Sequence, residues 1–124
     1  MELQKVKEIL NLKGLMQDGL FALGSIPGKS AKDLGHAFGA VWAGNIPKFY
    51  AITFFEGELI ITPITDKEVL IEELIRIKKT DVDSIIVKSG LIGMSLQITK
   101  DNAKKVYNIE KSGDIQEIVK RVNS

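Results

Sequence analysis

The chain contains no cysteine and a single histidine, His36, among its 124 residues. Without thiols there is no thiolate nucleophile, no disulfide staple and no zinc–thiolate site. One histidine cannot build a multi-histidine metal site, and a Ser-His-Asp triad would have to pass through His36. No apolar run approaches the ~20 residues needed to span a bilayer. The opening Met1-Glu2-Leu3-Gln4-Lys5 is amphipathic and lacks the apolar core of a secretory signal, so a cytoplasmic location is expected. There is also no strong excess of one charge: 17 Lys+Arg stand against 16 Asp+Glu, a formal net of +1. The balance hides a gradient. Residues 1–49 hold six Lys and four acids, residues 50–75 one Lys and six acids, and residues 76–124 ten Lys/Arg and six acids. A nucleic-acid binder concentrates basic charge more strongly than this, and no nucleic acid is expected as a partner.

What is present suits one soluble domain over 1–124. Area scaling buries about two-thirds of the unfolded surface for a chain this long, enough for a core without metals or disulfides. The hydrophobic fraction of 44% and charged fraction of 27% are those of a folded chain rather than a disordered one. Glycine and aromatic residues divide the chain near residue 47. Seven of the 11 glycines lie in residues 1–49, and six of the eight aromatics lie between Phe38 and Phe55.

Residues 2–13 read as a helix, with Leu3, Val6 and Leu10 in a stripe and Gly14 as its stop. Residues 19–26 form a short apolar run that fits a first strand, although periodicity alone does not settle it. Pro27-Gly28 breaks the run, and Ser30 is placed to cap a helix over 31–43 carrying Leu34, Phe38, Val41 and Trp42. From residue 48 the period changes to two. Strands are expected over 48–55 and 58–65, joined by a tight turn at Glu56-Gly57. Residues 69–79 are read as a strand on their β-branched content, with a helix over 67–75 as the alternative. Strands follow over 82–88, with Ile85 and Val87 inward, over 91–100, with Ile92, Met94, Leu96 and Ile98 on one face, and over 103–109. Ile115, Ile118, Val119 and Val122 then make the apolar stripe of a final helix, with Glu117 in its first turn and Lys120 and Arg121 in its last.

Several segments resemble the bacterial pleckstrin-homology-like (PH-like) domains: Ala51-Ile-Thr-Phe-Phe-Glu-Gly-Glu-Leu-Ile-Ile61, Ile77-Lys-Lys-Thr-Asp-Val-Asp-Ser-Ile-Ile-Val-Lys88, Ser89-Gly-Leu-Ile-Gly-Met-Ser-Leu-Gln-Ile-Thr99 and the helix 115–122. The resemblance covers 50–124, and its motifs are hydrophobic patterns rather than catalytic signatures. It implies an α+β, mostly β fold: a partly open antiparallel barrel of about seven strands capped by a C-terminal helix. Here 48–124 would be the PH-like core, and 1–47 would add an N-terminal helix, the first strand and a glycine-rich insert. It also implies a binding or assembly module without catalysis or cofactor. Homo-oligomers are known among its bacterial members.

Each candidate site also has a plainer reading. Gly28-Lys29-Ser30 ends like a phosphate-binding loop, but the first glycine of that motif would fall at Leu23, so a turn and helix cap is the better account. If 19–26 and 48–55 are neighbouring strands, the resemblance makes 27–47 the connection that holds the headgroup in lipid-binding relatives. Lys29, Lys32 and His36 would then supply cationic donors, and Phe38 and Trp42 would dip into an interface; packing of those aromatics on the sheet is the alternative. Glu72 and Glu73 read as solvated charge, because adjacent residues on a strand point to opposite faces, and Glu56 and Glu58 read so because they flank a turn. Lys78, Lys79, Lys88, Lys104 and Lys105 read as solubilising charge that also guards sheet edges. The function expected is a non-catalytic interaction module that binds protein or a second copy of itself through the apolar surface of helix 2–13 and Phe38/Trp42. The alternative is a peripheral module for an anionic membrane surface.

Overall fold

The computed structural model describes residues 2–26, 47, 49–91, 93–111 and 113–124. The expected helix over 31–43, its Ser30 cap and Ile92 lie outside the described residues. Within them the chain runs α1 (Leu3–Leu12), β1 (Phe21–Ser25), β2 (Phe49–Phe55), β3 (Glu58–Ile64), β4 (Ile75–Ile77), β5 (Ser84–Ser89), β6 (Met94–Lys100), β7 (Ala103–Lys111) and α2 (Ile115–Val122), with 3-10 turns at Ile71–Glu73 and Lys79–Asp81.

The strands form one antiparallel sheet in the order β4-β3-β2-β1-β7-β6-β5. The first strand therefore sits at the centre, between β2 and β7. The class is the expected one, α+β and mostly β, and the sheet with its terminal helix is compatible with a PH-like fold. It is open rather than closed: β4 and β5 are its two ends, with no ladder between them. Both ends nevertheless feed one core, since Ile77 of β4 and Ile85 of β5 belong to the same apolar cluster. The sheet thus coils around that core.

Its bend is encoded at Gly24. The β1–β7 register shifts between Leu23 and Gly24, a bulge at the middle of the sheet. A Cβ on Gly24 would stand 3.1 Å from Ile52 Cδ1 and 3.3 Å from the Asn108 carbonyl oxygen, so only glycine lets the strands approach this closely without a shift. Two hairpins use residues of positive φ, Glu56 (46°) with Gly57 (84°) and Asp101 (52°) with Asn102 (68°), the geometry of the tight turns that match strand twist.

Alternation along each strand produces two apolar faces. On one, Ala22, Ile52, Phe54, Leu59, Ile61, Ile85, Leu96, Ile98 and Tyr107 bury against Ile115, Ile118, Val119 and Val122 of α2. Burying four aliphatics contributes about 6–12 kcal/mol before chain entropy is charged against it. The helix is also tied at both ends. Asp114 Oδ2 accepts the Phe21 amide at 3.1 Å, and the Asn123 side-chain amide donates to the Ile85 carbonyl at 2.9 Å. Arg121 pairs with Asp18 at 2.6 Å and Glu117 at 3.1 Å, joining α2 to the segment before β1.

On the other face, Val6 and Leu10 of α1, with Leu15 and Met16, bury against Phe21, Ala51, Ile60 and Ile64. The Thr53 hydroxyl donates to the Leu15 carbonyl at 2.5 Å, fixing the chain after α1 to β2. This corrects one expectation. The apolar stripe of the first helix is spent inside the chain, with Leu10 0% exposed, and is not a free contact surface.

A second correction concerns 69–79. Only Ile75–Ile77 is a strand, Val69 makes an isolated bridge to Ile64, and Ile71–Glu73 is a 3-10 turn. The turn is set by backbone bonds, Leu70 N–H to the Pro63 oxygen at 2.9 Å and Glu73 N–H to the Leu70 oxygen at 3.0 Å. Val69, Ile71 and Leu74 all pack on the α1-side cluster, which a strand's alternation would not allow. Smaller shifts occur at strand ends: β5 starts at Ser84, β6 at Met94, and β7 continues to Lys111.

Candidate functional site

Lys29, Lys32, His36, Phe38 and Trp42, the residues singled out for anionic-ligand or membrane contact, lie outside the described residues. The remaining candidates are placed as follows. Glu56 and Glu58 flank the β2–β3 turn; Glu56 is exposed, and Glu58 lies 3.7 Å from Arg76 in a surface pair. Glu72 and Glu73 are both exposed on the 3-10 turn, and Glu73 reaches the rim of a cavity described below. Among the described residues no grouping of three or more His, Cys, Asp or Glu side chains is placed to hold a metal ion. Lys78, Lys79, Lys88, Lys104 and Lys105 are exposed, as expected. Two of them do more than solubilise: Lys79 Nζ donates to the Asn123 carbonyl at 2.8 Å, and Lys105 Nζ stands 5.5 Å from the Tyr107 ring centre. Among the described residues no helix is long and apolar enough to cross a membrane.

Two concavities stand out among the described residues, on either side of Gly24, which pairs with Ile109 of one and Tyr50 of the other. The first is an open groove of about 720 Å³ around the β5–β6 hairpin. Gly90 N–H closes the hairpin loop on the Gly93 carbonyl at 2.7 Å, and this presents Leu91 at its tip, fully exposed. Met94 and Ile109, paired across β6 and β7, line the groove with Leu91, while Lys88 and Glu110 add one charge of each sign. Next to it runs β5, an end strand of the sheet, with Ile86 46% exposed. A free strand edge beside exposed aliphatics is a surface that other chains can pair with. The other end strand, β4, is three residues long and bounded by turns, which blunts it.

The second is a cavity of about 260 Å³ on the α2 face of the sheet, toward the end where β1 finishes and β2 begins. Pro47, Pro63, Ile61 and Ile75 form its apolar walls, Tyr50 and Tyr107 add two phenols, and Glu73 and Lys105 complete the lining. The tyrosine rings meet edge to face with centres 5.4 Å apart. Burial pushes the Tyr107 hydroxyl up to about pKa 12. Burial, with Tyr107 beside it, raises Tyr50 as well. Both phenols are therefore held in the donor form at neutral pH.

The tyrosine pair was not singled out from the sequence, although a signal was there. Tyr50 and Tyr107 are the only two tyrosines. Each falls on the inward parity of its strand, Tyr50 with Ile52 and Phe54, Tyr107 with Ile109. What alternation alone cannot supply is that β2 and β7 flank β1, which brings the two rings together.

Searches among family models, curated proteins and solved structures found no match to this chain.

Proposed function

We propose that the chain is a non-catalytic PH-like interaction module that binds protein, a second copy of itself included, through the β5–β6 end of the sheet. A bacterial setting belongs to the same reading and rests on the sequence resemblance. One observation supports the choice of surface: Leu91 stands 108% exposed at the hairpin tip, above a groove lined by Met94 and Ile109 and beside the free edge of β5. An aliphatic side chain held wholly in water contributes nothing to the stability of the chain itself, and covering it on binding releases about 25 cal/mol per Å² of apolar area. The Asn123 amide already holds the Ile85 carbonyl, so the half of β5 nearest Leu91 is the part left for a partner.

Light scattering of the parent and of a Leu91→Ser/Ile86→Thr variant, over a wide concentration range, tests the reading. The parent mass rises with concentration while the variant stays monomeric, and the two melt alike because both side chains are exposed. A parent that remains monomeric throughout removes self-association. A variant that associates as the parent does removes this surface.

A further inference from the structure

The tyrosine cavity has no part in that reading. We infer that it binds a small zwitterion, an α-amino carboxylate with an apolar side chain. Size sets the first limit. At about 260 Å³ the space falls below the ~300–1,000 Å³ of clefts that take drug-sized ligands, so the occupant is smaller. The walls set the second. Two prolines and two isoleucines suit an apolar body, and the edge-to-face tyrosines suit a ring or a branched chain.

Polar groups set the third limit. Tyr107 is only 1% exposed, with its ring packed edge to face against Tyr50. Its phenol offers a donor to a ligand acceptor in the cavity. The Tyr50 phenol and the Lys105 ammonium line the same space, so three donors are available to one carboxylate. Lys105 is already drawn inward over the Tyr107 ring, 5.5 Å from its centre.

The decisive feature is Glu73. It lines the cavity together with Lys105, yet no ion pair joins the two. One cation and one anion on a shared wall, not satisfying each other, are complementary to a ligand carrying both signs. The same carboxylate disfavours a multiply phosphorylated ligand, which would bring several negative charges to a site with a single lysine.

Calorimetric titration of the full chain with L-phenylalanine tests the assignment. Phenethylamine lacks the carboxylate, N-acetyl-phenylalanine lacks the cation, and inositol hexakisphosphate is the polyanion control. Phenylalanine is expected to bind saturably, one to one. Each truncated ligand should bind about tenfold more weakly, the loss of one charge-assisted contact. Glu73→Gln should weaken phenylalanine about tenfold and leave N-acetyl-phenylalanine unchanged, and Lys105→Gln should weaken phenylalanine and leave phenethylamine unchanged. Both variants alter exposed side chains, and coincident melting curves show that they fold. No saturable heat with phenylalanine or L-leucine overturns the inference. So does a polyanion that binds more tightly than either, or a Glu73→Gln variant that weakens both phenylalanine ligands alike. None of these outcomes bears on the Leu91 surface.

Discussion

Two threonines on the α1 face of the sheet invite one substitution with two opposite results. Thr53 of β2 and Thr62 of β3 are both 0% exposed and stand close together, Thr53 opposite Ile60 and Thr62 opposite Ala51. The Thr53 hydroxyl donates to the Leu15 carbonyl, whereas the Thr62 hydroxyl is buried with no partner. Valine replaces a hydroxyl by a methyl of nearly the same shape and keeps β-branching. At Thr62 the change removes a desolvated, unsatisfied group, and a gain of about 1 kcal/mol is expected. At Thr53 the change deletes a hydrogen bond and strands the Leu15 carbonyl, at a cost of about 1.5–2.5 kcal/mol.

An unfolding entropy of about 2.1 cal/mol/K per residue over 124 residues makes 1 kcal/mol worth about 4 °C in melting temperature. Thr62→Val should therefore melt about 4 °C above the parent and Thr53→Val about 6–10 °C below it. Scanning calorimetry reads the shifts, and urea titration with unchanged m-values confirms that the denatured state is not the cause. If both variants fall by similar amounts, the hydroxyl accounting is wrong and methyl packing under α1 decides the outcome.

Three further outcomes are expected. The Tyr107 hydroxyl, raised to about pKa 12 in the fold from about 10 in the unfolded chain, contributes stability that is fully present below pH 10 and is lost as pH rises from about 10 to 12, because the unfolded chain releases this proton first. Urea midpoints of parent and Tyr107→Phe should diverge in that window, and parallel curves would contradict the assignment. Gly24→Ala puts a methyl 3.1 Å from Ile52 Cδ1 and 3.3 Å from the Asn108 oxygen; it should cost about 1–3 kcal/mol by urea titration, and a neutral result would show that the bend gives easily. Glu56 sits at φ 46° before Gly57, where asparagine is favoured, so Glu56→Asn should raise stability by about 0.5–1 kcal/mol in the same assay, provided the Gln17 contact to the Glu56 amide survives.

The parts of the fold read most closely from the sequence are those where periodicity and turn chemistry agree. Residues 115–122 carry a helical stripe with acid first and base last, and α2 matches that span. Residues 48–65 alternate around Glu56-Gly57, and the β2–β3 hairpin follows. The stretch 69–74 misled because β-branched content is a statement about side chains, whereas the 3-10 turn there is set by bonds to Pro63 and Leu70. The role of α1 was not legible for a related reason. An amphipathic stripe says that a face will be buried, not by what, and only the sheet's second apolar face, at Phe21, Ala51, Ile60 and Ile64, shows that the chain covers it itself. The tyrosine cavity was not legible, because it depends on strands distant in sequence, β2 with β7, whereas Met94 and Ile109 face each other across the β6–β7 hairpin.

The two helices divide the sheet unequally, and that division separates stability from recognition. The cluster around α2 draws on all seven strands, whereas the cluster under α1 draws its strand residues from β1, β2 and β3 alone. The α1 side of β5–β7 therefore carries a different lining: Lys88, Ser95, Asn108 and Glu110, with Ile86 beside them. Those side chains can change without opening a cavity in either core, so their identity is free to answer to a partner. The tyrosine end differs in kind. Tyr107 belongs at once to the α2 cluster and to the cavity, so a substitution there is felt by fold and ligand together. Glu73 and Lys105 stand on the rim outside that cluster, and through them the ligand specificity of the cavity can be changed while the fold is kept.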